Sequence, residues 1–288
     1  MKVVLFCGGL GTRLRDYSDS LPKPLVEVGS RPIIWHLMRY YAHYGHKEFI
    51  LCLGHAGNTI KHYFLNYDES RSNDFVLSHG GRKVEYTRRD LEDWTIRFVD
   101  TGLHSNVGQR LSRVRRYIEG DEMFLANYAD CLSDLDCNEY IESFKREDKV
   151  ASLLSVKVPQ SFHMVHTDEQ GNATMLEAIG ESSIRLNGGF FVLRNSIFNY
   201  MKDGEELVVE PFQRLIREKK LRAVAYDGFW RTMDTFKDKI ILDEMVTRGN
   251  TPWQVWNTDP DRPPERMLDS ISFDPPMSTD GFSKRGPV

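Results

Sequence analysis

The chain has 288 residues, 40% hydrophobic and 28% charged, with a formal net charge of −4 and a pI near 6.2. This is enough apolar material for a well-buried core, and the acidic balance argues against a dedicated binder of nucleic acid or of an anionic membrane, while leaving room for a local basic pocket. Cys7, Cys52, Cys131 and Cys137 lack C-x-x-C spacing and the density of a secreted disulfide scaffold, and no uncharged apolar run approaches about 20 residues, so reduced thiols, no membrane span and a cytoplasmic protein are expected.

Residues 3–7 form an apolar run of strand length that opens into Gly8, Gly9 and Gly11, followed by Thr12 and Arg13. Glycines let the backbone approach a ligand closely, so successive N–H groups can converge on anionic oxygens. Arg13 adds a fork of donors, and Lys23, bracketed by Pro22 and Pro24, adds a point charge on a restrained loop. The spacing is neither G-x-G-x-x-G nor G-x-x-x-x-G-K-[ST]. For the glycines alone, a tight βα turn with solvated charges is the plainer reading.

Helical spacing runs over 31–44 through Ile33, Ile34, Leu37, Met38 and Tyr41, and Gly45 ends it. A strand over 48–53, a helix over 57–67 and a later strand over 150–158 continue the alternation. Strands alternating with crossover helices predict a mainly parallel sheet with helices on both faces and ligands beyond the carboxyl ends of its strands. From 68 to 100 the pattern turns polar, with short strands at 84–87 and 96–99, and reads as readily as a surface insertion as a functional segment. Over 111–118 the bland reading is an amphipathic helix with Arg113, Arg115 and Arg116 in solvent. A strand over 122–126 leads into Asn127, Tyr128, Ala129 and Asp130. A carboxylate at the carboxyl edge of a parallel strand suits Mg²⁺, a hard ion that prefers oxygen, although a turn or N-cap aspartate is equally common in isolation.

The second half is richer in strands. A hairpin over 164–168 and 173–177 turns at Gln170-Gly171, and a strand over 187–193 is entered through Gly188 and Gly189. A helix over 210–219, a strand over 221–226 and a helix over 235–248 follow, with Asp234 and Thr235 equal candidates for the N-cap. Residues 257–288 hold six prolines, many charges and no periodicity, the composition of an extended or disordered tail. One domain over 1–256 is expected, its halves meeting near 150, and there is no internal repeat.

Gly8-Gly-Leu-Gly-Thr-Arg-Leu14 with Pro22-Lys-Pro24 resembles the signature of the sugar-phosphate nucleotidyltransferases. Residues 100–102 and 107–111, Asn187 and the string 229–235 resemble the glucose-1-phosphate cytidylyltransferase branch, and the resemblance runs from residue 1 to about 256. It implies a Rossmann-like α/β fold with a strand-rich acceptor-binding portion. It implies nucleotide contacts from Gly8, Gly9, Gly11, Thr12, Arg13 and Arg110, with Lys23 and Arg13 catalytic. It also implies Mg²⁺ on Asp130 and Asp234, and an acceptor site with Glu177, Asn187 and Gly188. The implied partners are CTP and a sugar 1-phosphate or related phosphorylated metabolite, in a homo-oligomer.

Two departures stand out. Ala129 and Cys131 replace glycines that flank the family's aspartate, and Ala178 stands where the family has a lysine that grips the sugar phosphate. An alanine cannot offset phosphate charge. Arg185 is the nearest substitute cation to Asn187, with Lys157, His163 and His166 as others. Three functions follow: CTP:glucose-1-phosphate cytidylyltransferase, a nucleotidyltransferase with a changed acceptor, or a non-catalytic nucleotide-sugar-binding paralogue.

Overall fold

The computed structural model describes residues 1–9, 21–91, 93–158 and 163–257. Strand β1 (Lys2–Phe6) is apolar on both sides, and its side chains alternate between two cores: Val3 and Leu5 face one, Val4 and Phe6 the other. A strand buried on both faces belongs in the middle of a sheet covered by helices. A short ribbon, β2 (Glu27–Val28) and β3 (Arg31–Pro32), precedes α1 (Ile33–His43). The predicted helix thus starts two residues late, because Pro32 with extended backbone stands at its N-cap.

The chain continues through β4 (Glu48–Leu53), α2 (Gly57–Leu65), a hairpin of β5 (Phe75–Ser78) and β6 (Lys83–Tyr86), and β7 (Thr95–Asp100). Next come α3 (Val107–Val114), β8 (Met123–Tyr128), β9 (Cys131–Ser133), α4 (Cys137–Lys145) and β10 (Ala151–Lys157). A second hairpin, β11 (His163–Thr167) and β12 (Ala173–Ala178), leads to β13 (Arg185–Asn187) and β14 (Phe191–Arg194). Helix α5 (Glu210–Arg217), β15 (Leu221–Tyr226), β16 (Trp230–Thr232) and α6 (Phe236–Thr247) complete the described elements.

The main sheet has the order β13-β10-β14-β8-β1-β4-β7, with β15 added on β10. Pairs β1–β4, β1–β8, β4–β7 and β10–β15 are parallel, and β8–β14, β10–β14 and β10–β13 are antiparallel. The mainly parallel α/β sheet is borne out, and each of its antiparallel pairs includes a strand of the second half. Helices α1, α4 and α6 place Leu37, Phe144 and Leu242 in one core, while α3 and α5 place Leu111 and Phe212 in the other. Each such large side chain contributes roughly 1.5–3 kcal/mol by burial.

Several expectations need correcting. The strand over 96–99 is no part of an insertion: as β7 it pairs with β4 from Glu48↔Thr95 to Leu53↔Asp100. The helix over 111–118 starts at Val107, where Asn106 and Gln109 form a capping box. Of its three arginines, Arg113 donates to Thr101 O and to Ser105 Oγ at 2.6 Å. Strand β8 runs on to Tyr128, so Asn127 and Tyr128 lie within it. The strand over 187–193 is two pieces, broken where Gly189 and Phe190 take φ of +71° and +48°. Gly188 donates to Leu154 O at 2.8 Å and Leu154 to Gly189 O at 3.0 Å, so the pairing to β10 survives the break. Thr235 caps α6 with Asp238 as its capping-box partner, which leaves Asp234 just outside the helix. The tail over 258–288 lies outside the described residues.

Candidate active site

Three charged side chains meet at the carboxyl ends of the central strands. Lys23 opens a 3-10 turn (Lys23–Leu25) in which Leu25 N–H donates to Pro22 O at 2.8 Å, so the two prolines do hold the lysine on a fixed bend. Its Nζ donates to Asp130 Oδ2 at 2.6 Å and to Asp234 Oδ1 at 2.5 Å, across sequence separations of 107 and 211 residues. Backbone pairing explains the meeting. Asp130 occupies the turn between β8 and β9, and β9 pairs with β16 in the register Cys131↔Thr232. One step further, Met233 N–H donates to Asp130 O at 2.9 Å, which delivers Asp234 beside Asp130. Asp234 is then steadied through its own N–H, which donates to Asp238 Oδ2 at 3.2 Å.

Burial lowers the Lys23 pKa, and the charges and hydrogen bonds of Asp130 and Asp234 more than reverse that, so it ends above its usual value. The lysine is fully protonated at neutral pH, and the carboxylates already converge on one cation. Mg²⁺ binds through one or two carboxylates and completes its shell with water and substrate phosphates, so this donor pair fits it. Among the described residues no group of three or more His, Cys, Asp and Glu could hold a metal by itself. Ala129 and Cys131 are 2% and 1% exposed, and neither has positive φ, so the turn needs no glycine at either place.

Beneath the glycines lies Arg110, 2% exposed. Its Nη1 donates to Thr101 Oγ1 at 2.7 Å and Leu53 O at 3.0 Å, and its Nη2 to Leu103 O at 3.4 Å. A Cβ on Gly8 would stand 2.1 Å from Arg110 Cζ, and one on Gly54 would stand 2.9 Å from both Nη atoms. Gly8 is therefore glycine because a guanidinium fills the place of its side chain. Arg110 thereby ties the ends of β1, β4 and β7 together as the floor of the loop, and burial depresses its pKa. The signal for this was available in sequence: Arg110 sits on the stripe Val107, Leu111 and Val114, the buried face of α3. Gly9 is open, with no heavy atom within 4 Å of a Cβ built on it. Gly11, Thr12 and Arg13 lie outside the described residues.

Among the residues expected at the acceptor, Asn187 Nδ2 donates to Tyr128 Oη at 3.2 Å, and its Oδ1 accepts from Gly189 N–H at 3.0 Å. Gly188 O accepts from Trp230 Nε1 at 2.9 Å, so the wall carrying Asn187 joins the strand that leads to Asp234. A Cβ on Gly188 would stand 2.9 Å from Val156 Cγ1, a packing reason for glycine there. Arg185 is drawn the other way. Its Nη1 donates to Ser155 O at 3.0 Å and Tyr226 O at 3.2 Å, and its Nη2 pairs with Asp227 at 2.6 Å. Glu177 lies on the β11–β12 hairpin, 3.6 Å from His166 Nε2, with Ala178 at the end of β12. Among the described residues no hydrogen bond or ion pair joins Glu177 or Arg185 to Asn187 or to the charged trio.

A lysine and two carboxylates thus meet at the carboxyl end of a mostly parallel sheet in an α/β protein. Residues 2–238 match the family model described as Nucleotidyl transferase, and the chain belongs to that family. It is 37% identical over 257 residues to the glucose-1-phosphate cytidylyltransferases of Salmonella typhi and Salmonella typhimurium, covering 89% of this chain and 100% of each relative. The resemblance to that branch is borne out. The fold is shared with HddC from Yersinia pseudotuberculosis complexed with GMP-PN, at a TM-score of 0.59 and 20% identity over 85% of this chain and 99% of that one. No helix among the described residues is long and apolar enough to cross a membrane.

Proposed function

We propose that this chain transfers a cytidylyl group from CTP to a sugar 1-phosphate, best glucose 1-phosphate, giving a CDP-sugar and pyrophosphate. The observation that carries this is the Lys23–Asp130–Asp234 cluster, and the shared length with the Salmonella cytidylyltransferases supports the choice of substrates. A phosphate oxygen of the sugar 1-phosphate attacks the α-phosphorus in line. The bond from that phosphorus to the bridging oxygen breaks, and pyrophosphate leaves with the electron pair. No general base is required, because a phosphate monoester is already charged near neutral pH, with its second pKa near 6.

Positioning and charge carry such a reaction. Lys23, kept protonated by its two partners, neutralises charge on the α-phosphate as the carboxylates release it. Arg13 is assigned to the leaving pyrophosphate, as the resemblance implies. Asp130 and Asp234 are the residues that would hold Mg²⁺, which when bound neutralises phosphate oxygens as a Lewis acid. Gly8 and Gly9 present backbone close to the nucleotide over the floor that Arg110 makes.

A second reading, a changed phosphorylated acceptor, is favoured by Ala178 together with the engagement of Arg185 by Asp227. Pyrophosphate release measured with Mg²⁺, each nucleoside triphosphate and a panel of phosphorylated acceptors tests both. Release with CTP and glucose 1-phosphate is expected. Release only with another acceptor selects the second reading, and none with any pair overturns both.

A further inference from the structure

The backbone kink over 187–190 is held by side chains from three places. Phe190 takes φ of +48°, a left-handed conformation that a residue with a Cβ keeps only where its surroundings impose it. Buried Asn127 accepts the Phe190 N–H on its Oδ1 at 3.3 Å, and Asn187 accepts the Gly189 N–H at 3.0 Å. Trp230 supplies the third hold, its Nε1–H donating to Gly188 O at 2.9 Å. The indole also stands against Gly188, where a Cβ would come within 3.2 Å of Nε1. Backbone held in such a shape clusters at ligand clamps, and Asn187, expected at the acceptor, opens this segment.

Trp230 differs from the other two holds in where it comes from. Asn127 belongs to β8 and Asn187 to the kink itself, whereas Trp230 begins β16, the strand that leads to Asp234. Strand β16 pairs with β9 from Trp230↔Ser133 to Thr232↔Cys131, and Met233 N–H then donates to Asp130 O at 2.9 Å. The Gly188 carbonyl also lies 4.0 Å from Cys131 Sγ, next to Asp130. One indole N–H thus links the segment that carries Asn187 to the strand that carries the carboxylates. We propose that Trp230 is a positioning residue: by holding the Gly188 carbonyl, it fixes the place of the acceptor relative to Asp130 and Asp234. The proposal rests on nucleotidyl transfer to a sugar 1-phosphate bound at Asn187. In-line attack depends on where the incoming oxygen stands, so slack of about 1 Å costs rate even with every charged group present.

The test measures pyrophosphate release by the full chain, Trp230→Phe, Asn187→Ala and the double variant, with Mg²⁺, CTP and glucose 1-phosphate. Trp230→Phe keeps a ring and removes the donor. It should lower kcat about tenfold and raise KM for glucose 1-phosphate, while KM for CTP stays within about twofold. On the Asn187→Ala background the same change should cost no more than about threefold in kcat/KM, because the contact it positions is already gone. A second readout needs no variant of the site. The indole N–H signal of Trp230, assigned by replacing the five tryptophans one at a time, is followed in nitrogen-15 spectra of wild type. It should shift when glucose 1-phosphate joins Mg²⁺ and a CTP analogue that resists cleavage between its α- and β-phosphates. A signal indifferent to the acceptor, or equal losses on both backgrounds with KM for glucose 1-phosphate unchanged, would make Trp230 a packing residue and overturn the proposal. A raised KM at unchanged kcat would make it a binding contact alone, and overturn it as well. If wild type turns over no sugar 1-phosphate, the functional reading falls and the proposal with it, whereas wild-type turnover that Trp230→Phe leaves intact removes the proposal alone.

Discussion

The charged trio and the acceptor wall are assembled in different ways. Lys23, Asp130 and Asp234 come from three distant segments, yet backbone bonds bring them together: the proline-bracketed turn, the β9–β16 register and the Met233 to Asp130 hydrogen bond. The side chains then have one geometry to adopt. The residues expected around the acceptor stand on β12 and β13, whose backbones are paired as well, but their side chains engage separate neighbours: Asn187 donates to Tyr128, Arg185 pairs with Asp227 and Glu177 lies near His166. Backbone pairing tolerates changes in neighbouring side chains, which is why Ala129 and Cys131 fit beside Asp130 without strain. Side chains that engage separate neighbours can change one at a time, and the resemblance implies such a change on that side, an alanine at 178 in place of a lysine, as it implies Ala129 and Cys131 beside Asp130.

The largest effect that this contrast predicts falls on the trio. Lys23→Ala, Asp130→Asn and Asp234→Asn should each lower kcat by roughly two to four orders of magnitude, with circular dichroism unchanged. A second readout separates the roles. On the proposed Mg²⁺ site Lys23 would compete with the ion for the two carboxylates, so Mg²⁺ should raise the Tm of Lys23→Ala more than that of wild type. Equal shifts would mean that the carboxylates do not receive the ion.

Next in size is Gly8→Ala. Its methyl would meet the Arg110 guanidinium at 2.1 Å, and overpacking of a buried site costs about 1–3 kcal/mol. A fall in Tm with a rise in KM for the nucleotide is expected, and Gly9→Ala, with open space around it, should leave Tm unchanged. If both behaved alike, the floor assigned to Arg110 would be wrong.

Arg185→Ala tests the acceptor side. Losing its bonds to Ser155, Tyr226 and Asp227 should cost about 1–2 kcal/mol of stability, while KM for glucose 1-phosphate stays within about twofold. A strong rise in KM at unchanged Tm would instead make Arg185 the substitute for the missing lysine. Ala178→Lys reads the same question from the other side. A tenfold gain in use of glucose 1-phosphate, equivalent to about 1.4 kcal/mol, would favour a changed natural acceptor.

What was legible in the sequence follows the same divide. Strand β1, helix α1 and strand β4 were readable because apolar periodicity reports burial directly, and the string 229–235 marked Asp234. Strand β7 is legible as a short strand over 96–99, but its place in the main sheet is not, since Thr95 and Arg97 alternate with Ile96 and Phe98 as they would in a surface hairpin. The resemblance implies Arg110 at the nucleotide, and its place on the apolar stripe of α3 is the local sign of its burial, but the room that glycines at positions 8 and 54 leave for its guanidinium is not legible around 110.

The smallest effect concerns the contact that fastens the last described segment to α1. His36, 4% exposed, donates from Nε2 to Val28 O at 2.9 Å, and its Nδ1 faces Trp253 Nε1 at 3.3 Å, with Trp256 stacked on the ring. An indole N–H can only donate, so Nδ1 must be the unprotonated acceptor and the ring is neutral. Burial, aided by the charge of Arg31, holds its pKa at about 4 against 6.5 for a free histidine. The unfolded chain therefore binds the extra proton first as pH falls, so this contribution to stability is complete above pH 6.5 and is lost progressively down to about pH 4. At pH 5.5 the loss is about 1 kcal/mol. His46, also held at about 4 by burial and then by the N-terminal ammonium, adds to the same window. Thermal melts at pH 7.5 and 5.5 should therefore show a smaller acid-induced drop in His36→Gln than in wild type, with the His46 share still present. An identical drop in the two proteins would mean that protonation of His36 leaves the Trp253 contact intact.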